Sequence, residues 1–266
     1  MTIRRRKQNN APIKEESQKE ESQPKNQNVV TKGLFLRNPN ESTKKVSNLP
    51  HGEVDVPKRA PVRHFTTDDN SPDKTQDVIK ELKKKNENLH LIEREKKLGL
   101  DTAHKAAFNY AKENNFDYLI TMDADLSHDP KDLPEFIKNL KDYPFVIGSR
   151  YTSGGRCLMK GFRLIMSKFG NQIIKTVSGI KSNEFTTSYR GFDIKNLKNF
   201  NLMNVQTKGY SFFMGTLFEL EKNNIEIKEI PITFYDRKKG VSKIPKIEIF
   251  RTLKNLFFLT FYKKFK

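Results

Sequence analysis

The sequence predicts an α/β protein built on a largely parallel sheet with helices on both faces. Two observations carry that expectation. From about Arg63 onward, short apolar runs alternate with stretches of helical apolar period, the pattern of strand–helix–strand units. Charged clusters follow three of these runs, "DDNSPD", "DADLSH" and "GSR", and the carboxyl ends of strands are where open α/β sheets gather their ligands.

Taken in order, "HFTT" (64–67) reads as a strand that stops at "DDNSPD". Residues 75–87 follow as a helix with Val78, Ile79 and Leu82 on one side. "LHLIE" (89–93) is a second strand. Ala103, Ala106, Ala107, Tyr110 and Ala111 fall at helical spacing and lead into a strand over 116–122. A helix over about 131–141 places Leu133, Phe136, Ile137 and Leu140 on one face, and "FVIGSR" (145–150) is a further strand. A long helix covers 161–178. "IEIKEIPITFYD" (225–236) is strand-like, with Pro231 suited to an edge or bulge. The last stretch has Phe250, Leu253, Phe257 and Phe261 at helical spacing, with Lys and Arg between them. It is too short an apolar run to span a bilayer. A core-packing helix and a basic amphipathic helix lying among lipid headgroups both fit it.

Three segments result: a disordered polar N-terminal stretch (1–62), a catalytic-type domain (63–244) and a basic C-terminal helix (245–266). The first lacks apolar period and is rich in Lys, Glu, Gln and Asn, so it buries too little surface to offset its ordering entropy. The one cysteine, Cys157, excludes an internal disulfide and fits a reducing compartment. The formal net charge of +18 calls for an anionic partner. From Tyr235 to the end there are ten Lys/Arg against Asp236 and Glu248, and no zinc-finger, RNA-recognition or basic-zipper pattern accompanies them. Nucleic acid is therefore the weaker candidate beside anionic lipid and phosphorylated small molecules.

"TMDADLSHDP" (121–130) ends a buried-strand run on two acids that repel each other, Asp123 and Asp125. Two hard carboxylate ligands suit Mg²⁺ or Mn²⁺, which takes one or two protein carboxylates and completes its shell with water and phosphate oxygens. Taken alone the triplet is a weak signal; its place at a strand end strengthens it. His128 reads as a turn residue first, with a place bordering the metal as the alternative.

The motifs "TTDDNSPDKT", "EREKKLGLDTA", "YLITMDADLSHDPKDLPEFI", "VIGSRY", "EFTTSYRGF", "KGYSF" and "KEIPITFYDRKKGVSKI" occur in the order seen in family 2 glycosyltransferases. They most resemble the dolichol-phosphate mannosyltransferase, or polyprenyl-phosphate glycosyltransferase, type, over roughly Phe65 to Leu259. The resemblance implies a GT-A fold. It also implies transfer of a hexose, mannose first, with inversion, from a nucleoside-diphosphate sugar such as GDP-mannose to a polyisoprenyl phosphate. The resemblance further implies Mg²⁺ or Mn²⁺ as cofactor and a peripheral setting on the cytoplasmic face of a membrane. By the same resemblance Asp69, Asp123, Ala124, Asp125, Arg150, Arg237 and Lys243 bind the donor. Asp125 and Ser127 hold the metal, Asp123, Asp125 and Arg150 act in catalysis, and Arg190 and Ser242 border the acceptor.

Three positions depart from the pattern. Nothing in 1–62 resembles the family's opening strand and the nucleotide-contacting turn after it, so the sheet is expected to lack an interior strand, "GLFL" (33–36) being a poor substitute. Gly215 stands where the family has an acid, and Glu184 where it has an aspartate. Beside the enzyme, a non-catalytic relative that binds lipid phosphate or a partner subunit stays open.

Overall fold

The computed structural model of the 266-residue chain describes residues 31–36, 63–68, 74–94, 98–236 and 246–264. Seven strands form one sheet: β1 (Thr31–Leu36), β2 (Arg63–Asp68), β3 (Leu89–Glu93), β4 (Tyr118–Asp123), β5 (Phe145–Ser149), β7 (Arg190–Asp193) and β8 (Ile227–Pro231). Their spatial order is β3-β2-β1-β4-β7-β5-β8. A short parallel ribbon pairs β6 (Arg156–Cys157) with β9 (Thr233–Phe234). The helices are α1 (Thr75–Lys85), α2 (Leu100–Glu113), α3 (Leu133–Asn139), α4 (Gly161–Ser178), α5 (Ser211–Lys222) and α6 (Lys246–Lys264).

The expected largely parallel sheet is present, with two strands reversed within it. β2, β3, β4, β5 and β8 share one direction, while β1 and β7 run against them. Because both reversed strands lie inside the sheet, four of its six pairings are antiparallel. The expected gap between β2 and β4 is filled. Thr31–Leu36, inside the stretch read as disordered, pairs on one side with β2 and on the other with β4. The six residues "TKGLFL" are too few for their pattern to stand out in a polar segment. Ladder hydrogen bonds on both edges supply what local propensity lacks.

β4 and β5 show why their sequences read as unbroken apolar runs. Leu119, Phe145 and Ile147 point to one core, with Phe108 of α2 and Phe212 and Leu217 of α5. Tyr118, Ile120, Met122 and Val146 point to the other, with Phe136 of α3 and Leu140 just after it. Side chains alternate across a strand, so a strand covered on both faces is apolar at every position. β8 lies at the sheet edge and ends on Pro231, where a missing backbone N–H is tolerated.

Two elements gave no sequence signal. α5 is buried on nearly all sides, so it lacks an amphipathic stripe. β7 is four residues long and carries Arg190 and Asp193, both buried. Two apolar stripes also face outward. Ile79 alone of the α1 trio is buried, with Val78 and Leu82 in solvent. On α6, Leu256 enters the core against α5 and α4, and Phe250, Leu253, Phe257 and Phe261 are exposed.

Candidate active site

β4 ends on Asp123 at the carboxyl edge of the five like-directed strands, and the chain then turns tightly. Leu126 takes a left-handed backbone (φ 66°), unusual for a branched side chain. The Asp125 side chain stabilises this turn. Its Oδ1 accepts the Ser127 N–H at 3.0 Å and the Ser127 hydroxyl at 2.5 Å, an Asx-type closure. The turn folds His128 back beneath the strand, where only 2% of it is exposed. The Asp123 N–H donates to His128 Nδ1 at 3.0 Å. On its far side, His128 Nε2 lies 3.3 Å from Thr187 Oγ1. The ring packs on Tyr189 and Phe234. Burial lowers its pKa against the opposing pull of Asp123, so the ring is neutral, accepting at Nδ1 and donating from Nε2. His128 is thus a buried strut rather than an open turn residue.

The Asp123 carboxylate is held separately: Ser188 donates its hydroxyl to Oδ1 at 2.6 Å. Ser188 is itself fixed, because Thr121 of β4 donates to its carbonyl at 2.7 Å. The two aspartates that repel each other in sequence are therefore each anchored by a serine hydroxyl, and both stay half-buried at the surface.

Arg150 follows β5 and is drawn into the protein. Its Nε and Nη2 donate to the two Glu184 carboxylate oxygens at 2.7 and 2.6 Å, and Nη2 also donates to Thr186 Oγ1. The guanidinium lies over Tyr151 and Phe234. Burial opposes both charges, but each partner's field outweighs it, so Arg150 is held above and Glu184 below its ordinary value. The longer acid at 184 reaches Arg150 with both oxygens. His128 feels Asp123, Arg150, Asp125 and Glu184 together, so these five groups form one electrostatic cluster.

Arg190 is placed differently from its sequence reading. It is 1% exposed, with Nε and Nη2 donating to the carbonyls of Thr187 and Phe185 and its plane over Phe213. It shapes the 185–188 segment from within rather than bordering an acceptor at the surface. Burial, partly offset by Glu184, lowers its pKa to about 9. Asp123, Ala124, Asp125 and Ser127 are brought together at one edge, with Arg150 behind them. Asp69, Arg237, Ser242 and Lys243 lie outside the described residues. The residues that sequence reasoning passed over are Thr187 and Ser188. They lie within "EFTTSYRGF", whose order gave the resemblance but whose hydroxyls carried no signal of their own.

Gly215 also has a local explanation. A Cβ there would lie 2.0 Å from Thr207 Oγ1 and 3.1 Å from Val205, so the space of a side chain at 215 is already filled.

The donor set fits a divalent cation of the Mg²⁺ type: two adjacent carboxylates, hydrogen-bonded in place, at a surface open to phosphate oxygens. Among the described residues no cluster of three or more acidic, His or Cys side chains forms a closed metal cage.

A mixed sheet of this order, with paired aspartates where a central strand meets the solvent, is the nucleotide-sugar transferase architecture, GT-A. Residues 59–214 match Glycosyl transferase family 2. The chain is 33% identical over 181 residues to the undecaprenyl-phosphate mannosyltransferase of Micrococcus luteus, covering 68% of this chain and 74% of that one. It is 32% identical over 186 residues to the polyprenol monophosphomannose synthase of Mycolicibacterium smegmatis, covering 69% and 70%. The chain belongs to glycosyl transferase family 2, a family of glycosyltransferase enzymes. The glucosyl-3-phosphoglycerate synthase of Mycobacterium tuberculosis, solved with uridine diphosphate, superposes with a TM-score of 0.47 at 13% identity. That match covers 74% of this chain and 66% of that structure.

Proposed function

We propose that this protein transfers a hexose, mannose first, from a nucleoside-diphosphate sugar, GDP-mannose first, to a polyisoprenyl phosphate, with inversion at the sugar. The carrying observation is the pair Asp123 and Asp125, each anchored by a serine hydroxyl at the sheet edge. The relatives named for mannosyl transfer to undecaprenyl phosphate and for polyprenol monophosphomannose synthesis support the acceptor class.

Asp123 and Asp125 would hold Mg²⁺ or Mn²⁺, with Ser127 beside them. When bound, the ion neutralises the negative charge that grows on the departing diphosphate. The chain's own residues do the rest. Asp123 and Asp125, fixed in advance by Ser188 and Ser127, present oxygens without reorganising as the sugar–phosphate bond breaks. Arg150, its charge balanced by buried Glu184, is proposed to act in catalysis from behind them, by bracing the segment that carries Thr187 and Ser188. Arg237 and Lys243 are proposed donor-phosphate ligands beside Asp69, and Ser242 an acceptor-side residue. An acceptor phosphate is already ionised near neutral pH, so it attacks the anomeric carbon without a strong general base, and His128 is left to structure.

The acceptor implies a membrane surface, and we place the protein peripherally at a cytoplasmic face. Phe162, Ile165 and Phe169 of α4, with Phe250, Phe257, Phe258 and Phe261 of α6, are more than half exposed. Lys160, Arg163, Lys168, Arg251 and Lys254 lie among them. Each such charge near an anionic leaflet contributes about 1 kcal/mol. No helix among the described residues is long and apolar enough to cross a membrane.

The test is transfer of label from GDP-mannose and other nucleotide sugars to dolichyl or undecaprenyl phosphate with Mg²⁺. Asp125→Asn is expected to lower the rate about a hundredfold or more. No label in the lipid phase with any common donor would refute the activity. The reversed β1 favours a second reading, a non-catalytic relative, because β1 presents its first residue, Thr31, beside Asp123. That relative would bind lipid phosphate or a partner subunit instead, and metal-dependent binding of nucleotide sugar in calorimetry would argue against it.

A further inference from the structure

We infer that His128 and Thr187 are positioning residues for the metal-binding edge: a two-residue strut that, together with Ser188, fixes both the backbone and the carboxylate of Asp123. This rests on the proposed role of Asp123 and Asp125 as ligands for a divalent cation.

Asp123 is tethered twice to two consecutive residues of another segment. Its carboxylate is held directly by the Ser188 hydroxyl at 2.6 Å. Its backbone N–H is held through His128, 3.0 Å to Nδ1, and Nε2 lies 3.3 Å from Thr187 Oγ1. Thr187 Oγ1 also accepts the Tyr189 N–H at 3.2 Å, so its two lone pairs serve two donors. Tyr189 closes the frame by donating its hydroxyl to the Asp129 carbonyl at 3.1 Å. Thr187 and His128 are 4% and 2% exposed, where water does not compete for these bonds.

The geometry selects one role. An imidazole with Nδ1 3.0 Å from a backbone N–H and Nε2 facing a buried hydroxyl has both nitrogens engaged, so it does not ligate a cation. What it does is set the rotation of the peptide between Met122 and Asp123, and with it the direction of the Asp123 side chain. Outer groups that orient metal ligands typically change affinity 10- to 100-fold when removed.

Mn²⁺ uptake in the presence of GDP, followed by the loss of the free Mn²⁺ paramagnetic resonance signal, tests this without turnover. His128→Phe keeps a ring between Tyr189 and Phe234 and removes both nitrogens. Thr187→Val keeps the shape and removes the hydroxyl, and Thr187→Ser restores it. Thr187→Val and His128→Phe are expected to bind Mn²⁺ about 10- to 100-fold more weakly, with Thr187→Ser within about twofold of wild type. Near-ultraviolet circular dichroism confirms the fold of each variant; if His128→Phe does not fold, the isosteric Thr187→Val decides. Wild-type affinity in a folded Thr187→Val variant, or equal weakening in Thr187→Ser, overturns the inference alone. A wild-type protein that takes up no Mn²⁺ with GDP overturns the metal role of Asp123 and Asp125 along with it.

Discussion

Glu184→Gln tests the cluster behind the site most directly. Glu184 is fully buried and receives hydrogen bonds from Arg150 Nε and Nη2 and from the N–H and hydroxyl of Thr186. Glutamine retains the shape and one acceptor oxygen but leaves the Arg150 guanidinium, 7% exposed, without a counter-charge. Breaking a buried pair from one side costs about 3–5 kcal/mol. Set against the 5–15 kcal/mol typical of a folded domain, that is a large share. Urea unfolding at pH 7 reads it as a fall of about 1–2 M in midpoint at unchanged slope. The double variant Arg150→Met/Glu184→Leu removes both charges and is expected to recover most of the loss, since apolar replacement of a whole buried pair is often neutral. A Glu184→Gln midpoint within about 0.3 M of wild type would show that the pair is solvated and does not brace the segment behind Asp123.

Two further predictions concern the folded state. His104 is buried against Phe212 and Phe213, and burial, reinforced by Arg190 and Arg94, lowers its pKa to about 3. The unfolded ring takes up a proton near pH 6.5 and the folded ring does not until about pH 3. Stability should therefore fall as pH drops through that window, by up to about 1.4 kcal/mol per unit. His104→Leu should flatten this acid limb in pH-dependent urea titrations; an unchanged slope refutes the assignment. Gly33→Pro places a residue without an N–H in β1 opposite both Phe65 and Thr121. It should cost about 2–4 kcal/mol and weaken donor binding, read by urea unfolding and calorimetry, whereas full stability would remove β1 from the sheet interior.

Much of the fold was legible because its signals are local. β4 and β5 are covered on both faces, so each announces itself as an unbroken apolar run, and α2 and α3 show their buried stripes in plain spacing. Asp123 and Asp125 were legible for a related reason: acids directly behind a buried run are chemically conspicuous. Other features depend on what lies across the fold. Whether the α6 phenylalanines face the core or solvent is settled by α5 and α4 filling the opposite side. Arg150 and Arg190 have the same side chain, yet Glu184 lies within reach of one guanidinium while backbone carbonyls and Phe213 enclose the other.

What the sequence determined by itself is the α/β class, the run of strands and helices from Arg63, and the acidic pair that marks the site. Only the tertiary structure decided that "TKGLFL" runs backwards through the sheet and that Asp123 is held by His128 and Ser188. The reason is physical in both cases. The direction of β1 is set by ladder partners in β2 and β4, and the Asp123 carboxylate by Ser188 from a distant segment. The short link to His128 is locked only where its ring meets Thr187 of that same segment, so no local pattern encodes these arrangements.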